Sequence, residues 1–240
     1  MRCWAAALGD CDAVQSREHY LSRSIIGTGE VVVSGLRSLG GRAATISAER
    51  LVAKVLCKRH NELLSPLDAA AGDFFRVLKA FKYRAGMRAR GARKRGGVDV
   101  YRVDGALVER WMLKTVINLA FARRTPSGER WCVPAGWVTS VFGRTAFPDG
   151  CGLYLLQGTS NLNDSPTSVL RVAVLTADGG VGEKRDGMVI GGQFAIEDVQ
   201  FAVLMQPVGS VNGAYRLRHI RDARAFRLRQ VLNVDWAGLR

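Results

Sequence analysis

From residue 67 the apolar side chains Leu67, Ala70, Ala71, Phe74, Phe75, Leu78 and Phe81 recur every three or four positions, leaving Asp73, Arg76, Lys79 and Lys82 for solvent. Just upstream, Ser65-Pro66-Leu67-Asp68 offers a capping hydroxyl, a proline suited to the first helical position and a carboxylate three residues after the cap. The pattern predicts a helix over about 66–84. A second amphipathic helix is expected over about 105–122. It is capped by Asp104, buries Leu107, Val108, Trp111, Met112 and Leu119, and has Arg123 and Arg124 at its C-terminal end. From about residue 131 the period changes to two. Runs at 152–157, 168–176, 188–196, 199–206, 215–220 and 225–232, divided by Gly, Asn, Asp and Pro, read as strands of an antiparallel region. The last two alternate basic with apolar residues and present Arg216, Arg218, Arg227 and Arg229 on one face, read first as a solvated face and second as a polyanion surface.

Charge sharpens this picture. The 240 residues carry a formal net charge of +14, which favours a polyanionic partner. Nearly all the excess falls within residues 74–131, and the segment Lys82 to Arg95 holds Lys82, Arg84, Arg88, Arg90, Arg93, Lys94 and Arg95 with no acid. With Gly86 and Gly91 inside it, that segment reads as a flexible basic arm. The longest apolar stretches are too short and too interrupted to cross a bilayer, so no membrane partner is expected. Five cysteines form an odd, sparse set without a secretory leader before them, which points to a reducing cytoplasm. No GxxxxGK[ST] or GxGxxG loop is present, so nothing indicates a nucleotide.

Metal-capable residues concentrate near the start. Cys3, Cys11, Cys57 and His60 provide a Cys3His set, the coordination expected of structural zinc, and Cys57-x-x-His60 has the spacing of a knuckle turn. Cys132 and Cys151 read as buried small hydrophobes. The five tryptophans read as core, with Trp131 or Trp137 a remote candidate for stacking on an unpaired base.

The order Cys, Cys, then Ser16-Arg17-Glu18-His19, then Leu56-Cys57-Lys58-Arg59-His60-Asn61 and Leu64-Ser65-Pro66-Leu67-Asp68 resembles the HNH endonuclease superfamily, in its zinc-stabilised ββα-metal branch. The resemblance spans about residues 3–70. It implies that His19 is the general base and that Glu18 ligates a catalytic Mg²⁺ or Mn²⁺. Asn61 would orient His19 or reach the ion. In this chain His60 stands where that branch places its last cysteine, so it cannot serve both the zinc and the catalytic ion. If His60 ligates zinc, the catalytic ion keeps Glu18, with Asn61 or Asp68 and water; if His60 ligates the catalytic ion, the zinc site loses its fourth ligand. The tract from Gly29 to Ser47 must form an extended hairpin or an inserted loop.

The expected fold class is therefore α+β: an HNH-like zinc module over residues 1–73, a helical segment with its basic arm over 74–130, and an antiparallel β domain over 131–240. The function expected is metal-dependent hydrolysis of nucleic-acid phosphodiesters, DNA first, with the arm binding phosphates. The alternative is a non-catalytic, zinc-stabilised nucleic-acid-binding protein with a degenerate HNH-like module.

Overall fold

The structure is a computed structural model that describes residues 3–26, 30–33, 44–89, 99–122, 131–156, 170–176, 188–196, 199–207, 214–216, 219–221 and 230–236. Within them the chain is a mixed α+β protein. Strand β1 (Gln15–His19) pairs antiparallel with β4 (Val52–Cys57), Gln15 opposite Cys57 and His19 opposite Val52. A bulge between Ser16 and Glu18 turns this ribbon's side chains. Helix α2 (Lys58–Leu63) leaves β4 directly, and α3 (Ser65–Ala89) follows after Leu64. A single-turn helix, α1 (Arg23–Ile26), packs on α3.

Strands β2 (Glu30–Val33) and β3 (Ala44–Ser47) pair antiparallel, the hairpin of the two forms expected within 29–47. They do not stay with the ribbon. Strand β2 pairs in parallel with β7 (Leu170–Thr176), so the hairpin finishes the edge of a seven-stranded sheet ordered β10-β6-β9-β8-β7-β2-β3. The other members are β6 (Gly152–Leu156), β8 (Val189–Ile196), β9 (Val199–Leu204) and β10 (Ala214–Arg216), all paired antiparallel. A separate three-stranded sheet is ordered β11 (His219–Arg221), β12 (Gln230–Asp235), β5 (Asp99–Asp104). There β12 runs parallel to β5. The stretch expected as one strand over 215–220 is two short strands in two sheets, because the chain leaves one sheet after Arg216 and enters the other at His219. Of the arginine face expected there, Arg218, Arg227 and Arg229 lie outside the described residues.

At the centre lies α4 (Gly105–Ala122). Asp104 caps it as its sequence suggests, its Oδ1 accepting the Leu107 N–H at 3.0 Å. An amphipathic helix with one wet face is not what forms: Glu109, Lys114, Thr115 and Asn118 are buried along with the apolar residues, since the sheet, α3 and β5 enclose the helix on several sides. Trp111 meets Phe75 and Phe194, Phe74 meets Phe201, and one continuous apolar core runs from Cys3 and Trp4 through α3 and α4 to Leu232 and Val234. Helix and sheet approach closely at Gly192, where an added Cβ would run into Val116 and sit 3.1 Å from the Ala173 carbonyl. Helix α5 (Ala135–Val141) starts after Pro134, and beside it Trp131 packs edge-on against Trp137 at 5.3 Å, a ring pair rather than an open stacking platform. Cys132 is exposed, contrary to the buried position expected, because it lies in the stretch leading into Pro134; Cys151 is buried as expected.

Helix α3 starts one residue early and extends to Ala89, so the first half of the expected flexible arm is helical. Arginine, lysine and alanine favour helix enough to carry it through Gly86. Lys82, Arg84 and Arg88 therefore belong to α3, with their side chains outside the described set, and Arg90, Arg93, Lys94 and Arg95 lie outside the described residues. No described helix is long and apolar enough to cross a membrane.

Candidate metal centre and a buried lysine network

Four elements of sequence converge on one point. Cys3 enters just before a short turn at Ala6–Leu8, held by the Trp4 N–H donating to the Val55 carbonyl at 3.0 Å. Cys11 follows that turn, Cys57 ends β4, and His60 lies one turn into α2. The ligand atoms of Cys3, Cys11, Cys57 and His60 all lie within 4.8 Å of one another. His60 Nδ1 is 3.3 Å from the Cys3 Sγ, 3.7 Å from the Cys11 Sγ and 3.2 Å from the Cys57 Sγ. A tetrahedral ion with bonds of about 2.3 Å to sulfur and about 2.0 Å to nitrogen has sulfur–nitrogen edges near 3.5 Å. The cluster has those dimensions, and the four residues could hold a metal ion.

Its electrostatics fit the same role. Burial pushes the Cys3 thiol up to about 12, and burial raises Cys11 as well. Cys57 is lowered: burial opposes its thiolate, but the backbone N–H groups of His60 and Asp12 and the neighbouring sulfurs favour it. The other face of the imidazole is also fixed. His60 Nε2 is 2.8 Å from Asp10 Oδ1, and the His60 ring lies edge-on to Phe142 at 5.3 Å. A carboxylate on the far ring nitrogen sets the tautomer that leaves Nδ1 free to ligate, the usual support for a metal-binding histidine. The His60 contact, followed by Arg59, holds the Asp10 carboxyl below its ordinary range, and Arg144 stands 3.8 Å away.

The expected dyad is arranged differently from a solvent-facing acid–base pair. Glu18 is only 5% exposed and points inward. Its Oε1 is 2.7 Å from the Lys114 ammonium, which also donates to Asp68 Oδ1 at 2.8 Å and Oδ2 at 2.9 Å. Asp68, whose spacing suggests a capping box, instead accepts from Ser22 Oγ, and Ser22 accepts from Trp111 Nε1 at 2.7 Å. Burial raises the Glu18 carboxyl despite Lys114. His19, at the end of β1, is partly buried; burial lowers it, Arg23 and Arg17 add to the shift, and Asp68 opposes it. Asn61 donates to Ser16 Oγ at 2.9 Å, three residues before His19 and so about 10 Å up the strand from it.

Asp10, Ser22, Lys114 and Asn118 join the site without having been singled out by the sequence. Only Lys114 carried a signal, as the lone cation within the apolar run from Trp111 to Ala122. Comparison with protein-family models, with curated proteins and with solved structures finds no match.

Proposed function

We propose that the protein is a zinc-anchored nucleic-acid-binding protein, in which a degenerate HNH-like module is a scaffold and not a hydrolytic centre. Three thiolates and one imidazole suit a borderline-soft ion that accepts tetrahedral coordination, which favours zinc over harder divalent ions. Bound there, the ion would tie the first residues to the start of α2 and fix the β1–β4 ribbon on the core.

The observation that carries the binding reading is the outer face of that ribbon. Arg17, in the irregular stretch between Ser16 and Glu18, and Lys54, next to Ala53 which faces Glu18, are both exposed, and Arg23 is exposed just beyond β1. None of the three has an ion-pair partner among the described residues, a state they share with the exposed Arg50, Lys79 and Arg102, whereas Lys58, Arg59, Arg76 and Lys114 each have at least one. Like charges close together on a ribbon repel, and an anion bound between them would relieve that repulsion. Phosphates spaced along a backbone supply such anions, and the basic segment Lys82 to Arg95 would add further contacts.

A second reading, hydrolysis with His19 as base, draws on one observation: its imidazole is held neutral and so could accept a proton at pH 7. Against it stands Glu18, whose carboxylate is buried on a lysine. The deciding experiment measures binding of labelled duplex by the zinc-loaded protein over a range of salt, beside a plasmid assay with Mg²⁺ or Mn²⁺. Binding without cleavage is expected, and Arg17→Ala with Lys54→Ala should lower the log–log salt slope by about 2, near 0.9 per lost phosphate contact. Failure of the wild type to bind nucleic acid overturns the reading. Metal-dependent cleavage that disappears in His19→Ala replaces it with the hydrolytic one.

A further inference from the structure

Phe74, Phe75, Leu78 and Phe81 bury one side of α3, and Arg76, Lys79 and Tyr83 stand exposed on the other. With Gly72 these three fall on a single stripe, at spacings of four, three and four residues. Tyr83 is 65% exposed, and no other phenylalanine, tyrosine or tryptophan among the described residues is exposed. Other rings are engaged: Tyr101 packs on Phe81 at 6.2 Å, the Tyr154 hydroxyl donates to the Gly150 carbonyl at 2.6 Å, and Trp131 meets Trp137. Lys79, one turn before Tyr83, has no ion-pair partner among the described residues, while Arg76 reaches Asp73. From residue 74 to residue 98 the sequence holds no acid, and its cations include Lys82, Arg84 and Arg88 of the same helix.

An open ring framed by cations has the two parts that hold a strand whose bases are free: a flat apolar surface for the base and positive charge for the flanking phosphates. In a duplex each base is stacked on its neighbours and offers only its edge to the groove, so a ring on the outside of a helix finds no base face there. We propose that Tyr83 is a stacking platform for an unpaired base, and that single-stranded nucleic acid lies along the outer stripe of α3 with Lys79 on the adjoining phosphate. The inference rests on the nucleic-acid-binding reading and adds to it the state of the strand that is bound. The stripe also leads back to the ribbon. At its head, Ser24 lies so close to Gly72 that an added Cβ there would sit 3.3 Å from the Ser24 Cβ, and the exposed Arg23 precedes Ser24. Gly72 and Tyr83 are about 16 Å apart along the helix axis, so a strand held at Arg23 reaches the ring by following this one stripe.

The test titrates the zinc-loaded full chain with a labelled oligothymidine and, separately, with a labelled duplex, each over a range of salt. Tyr83→Ala should weaken oligothymidine binding about tenfold or more and leave its log–log salt slope unchanged, because a stacked ring carries no charge. Duplex binding should not change in that variant. Tyr83→Phe keeps the ring and should bind like the wild type. Lys79→Ala should instead lower the oligothymidine slope by about 0.7, the share of one phosphate on a single strand. Equal binding of oligothymidine by wild type and Tyr83→Ala overturns the inference, as does equal weakening of strand and duplex, or a loss reproduced by Tyr83→Phe. A slope unaffected by Lys79→Ala overturns the path of the strand along α3. A wild type that binds the duplex and ignores the oligothymidine overturns this inference alone, and one that binds neither overturns the nucleic-acid reading with it.

Discussion

His19 is held neutral by its surroundings: burial first, then the guanidinium groups of Arg23 and Arg17, outweigh the attraction of Asp68. In the unfolded chain the same imidazole takes up a proton near pH 6.5. The unfolded state therefore binds more protons below that pH, so the stability this residue contributes is present above about 6.5 and is lost as pH falls through its lowered folded value. Urea midpoints of wild type and His19→Gln should differ in their pH dependence, the variant losing less between pH 7.5 and 5. Identical pH profiles would show that the ring is not sheltered. Glu18 has the opposite sense, since burial raises a carboxyl that Lys114 only partly offsets. That carboxyl binds its proton more readily folded than unfolded, so its contribution declines as pH rises through the raised value.

At the scale of elements, the contact between α4 and the large sheet sets the tightest tolerance. Gly192→Ala forces a methyl group against Val116 and the backbone of β7, and it should cost about 1–3 kcal/mol in chemical denaturation, the usual range for overpacking. Gly136→Ala in α5 is the internal control, because nothing lies within 4 Å of its new Cβ. It should be neutral or stabilising by up to about 1 kcal/mol. Equal losses from both would show that the cost does not arise at the contact with Val116. The two long helices and most strands of the second half were legible from periodicity, and the four metal-capable residues from residue type and spacing. What the sequence concealed depends on partners far along the chain. Asp68 has the spacing of a cap, yet Ser22 and Lys114 claim it. The run at 215–220 alternates like one strand, yet no local signal marks the change of sheet after Arg216. Lys114 in an apolar helix is explained only by Glu18 and Asp68 arriving from two other elements.

Across the whole molecule, the three stretches distinguished by charge and period share their interior. The first supplies an edge hairpin to the sheet of the third, the middle one pairs β5 with β12, and a single apolar core passes through all of them. Unfolding in urea should therefore be one cooperative transition, with coincident curves for backbone ellipticity, tryptophan emission and near-ultraviolet signal. Two resolved transitions would instead mark an independently stable unit. Trp4 gives this molecule a further property. Its indole adjoins Cys3, donates to Asn118 at 2.9 Å and rests on Phe142, the ring that also borders His60. With the other four tryptophans replaced by phenylalanine, light emitted by that indole should gauge whether the neighbouring thiols are gathered or released, an optical readout of ion occupancy that needs no attached dye.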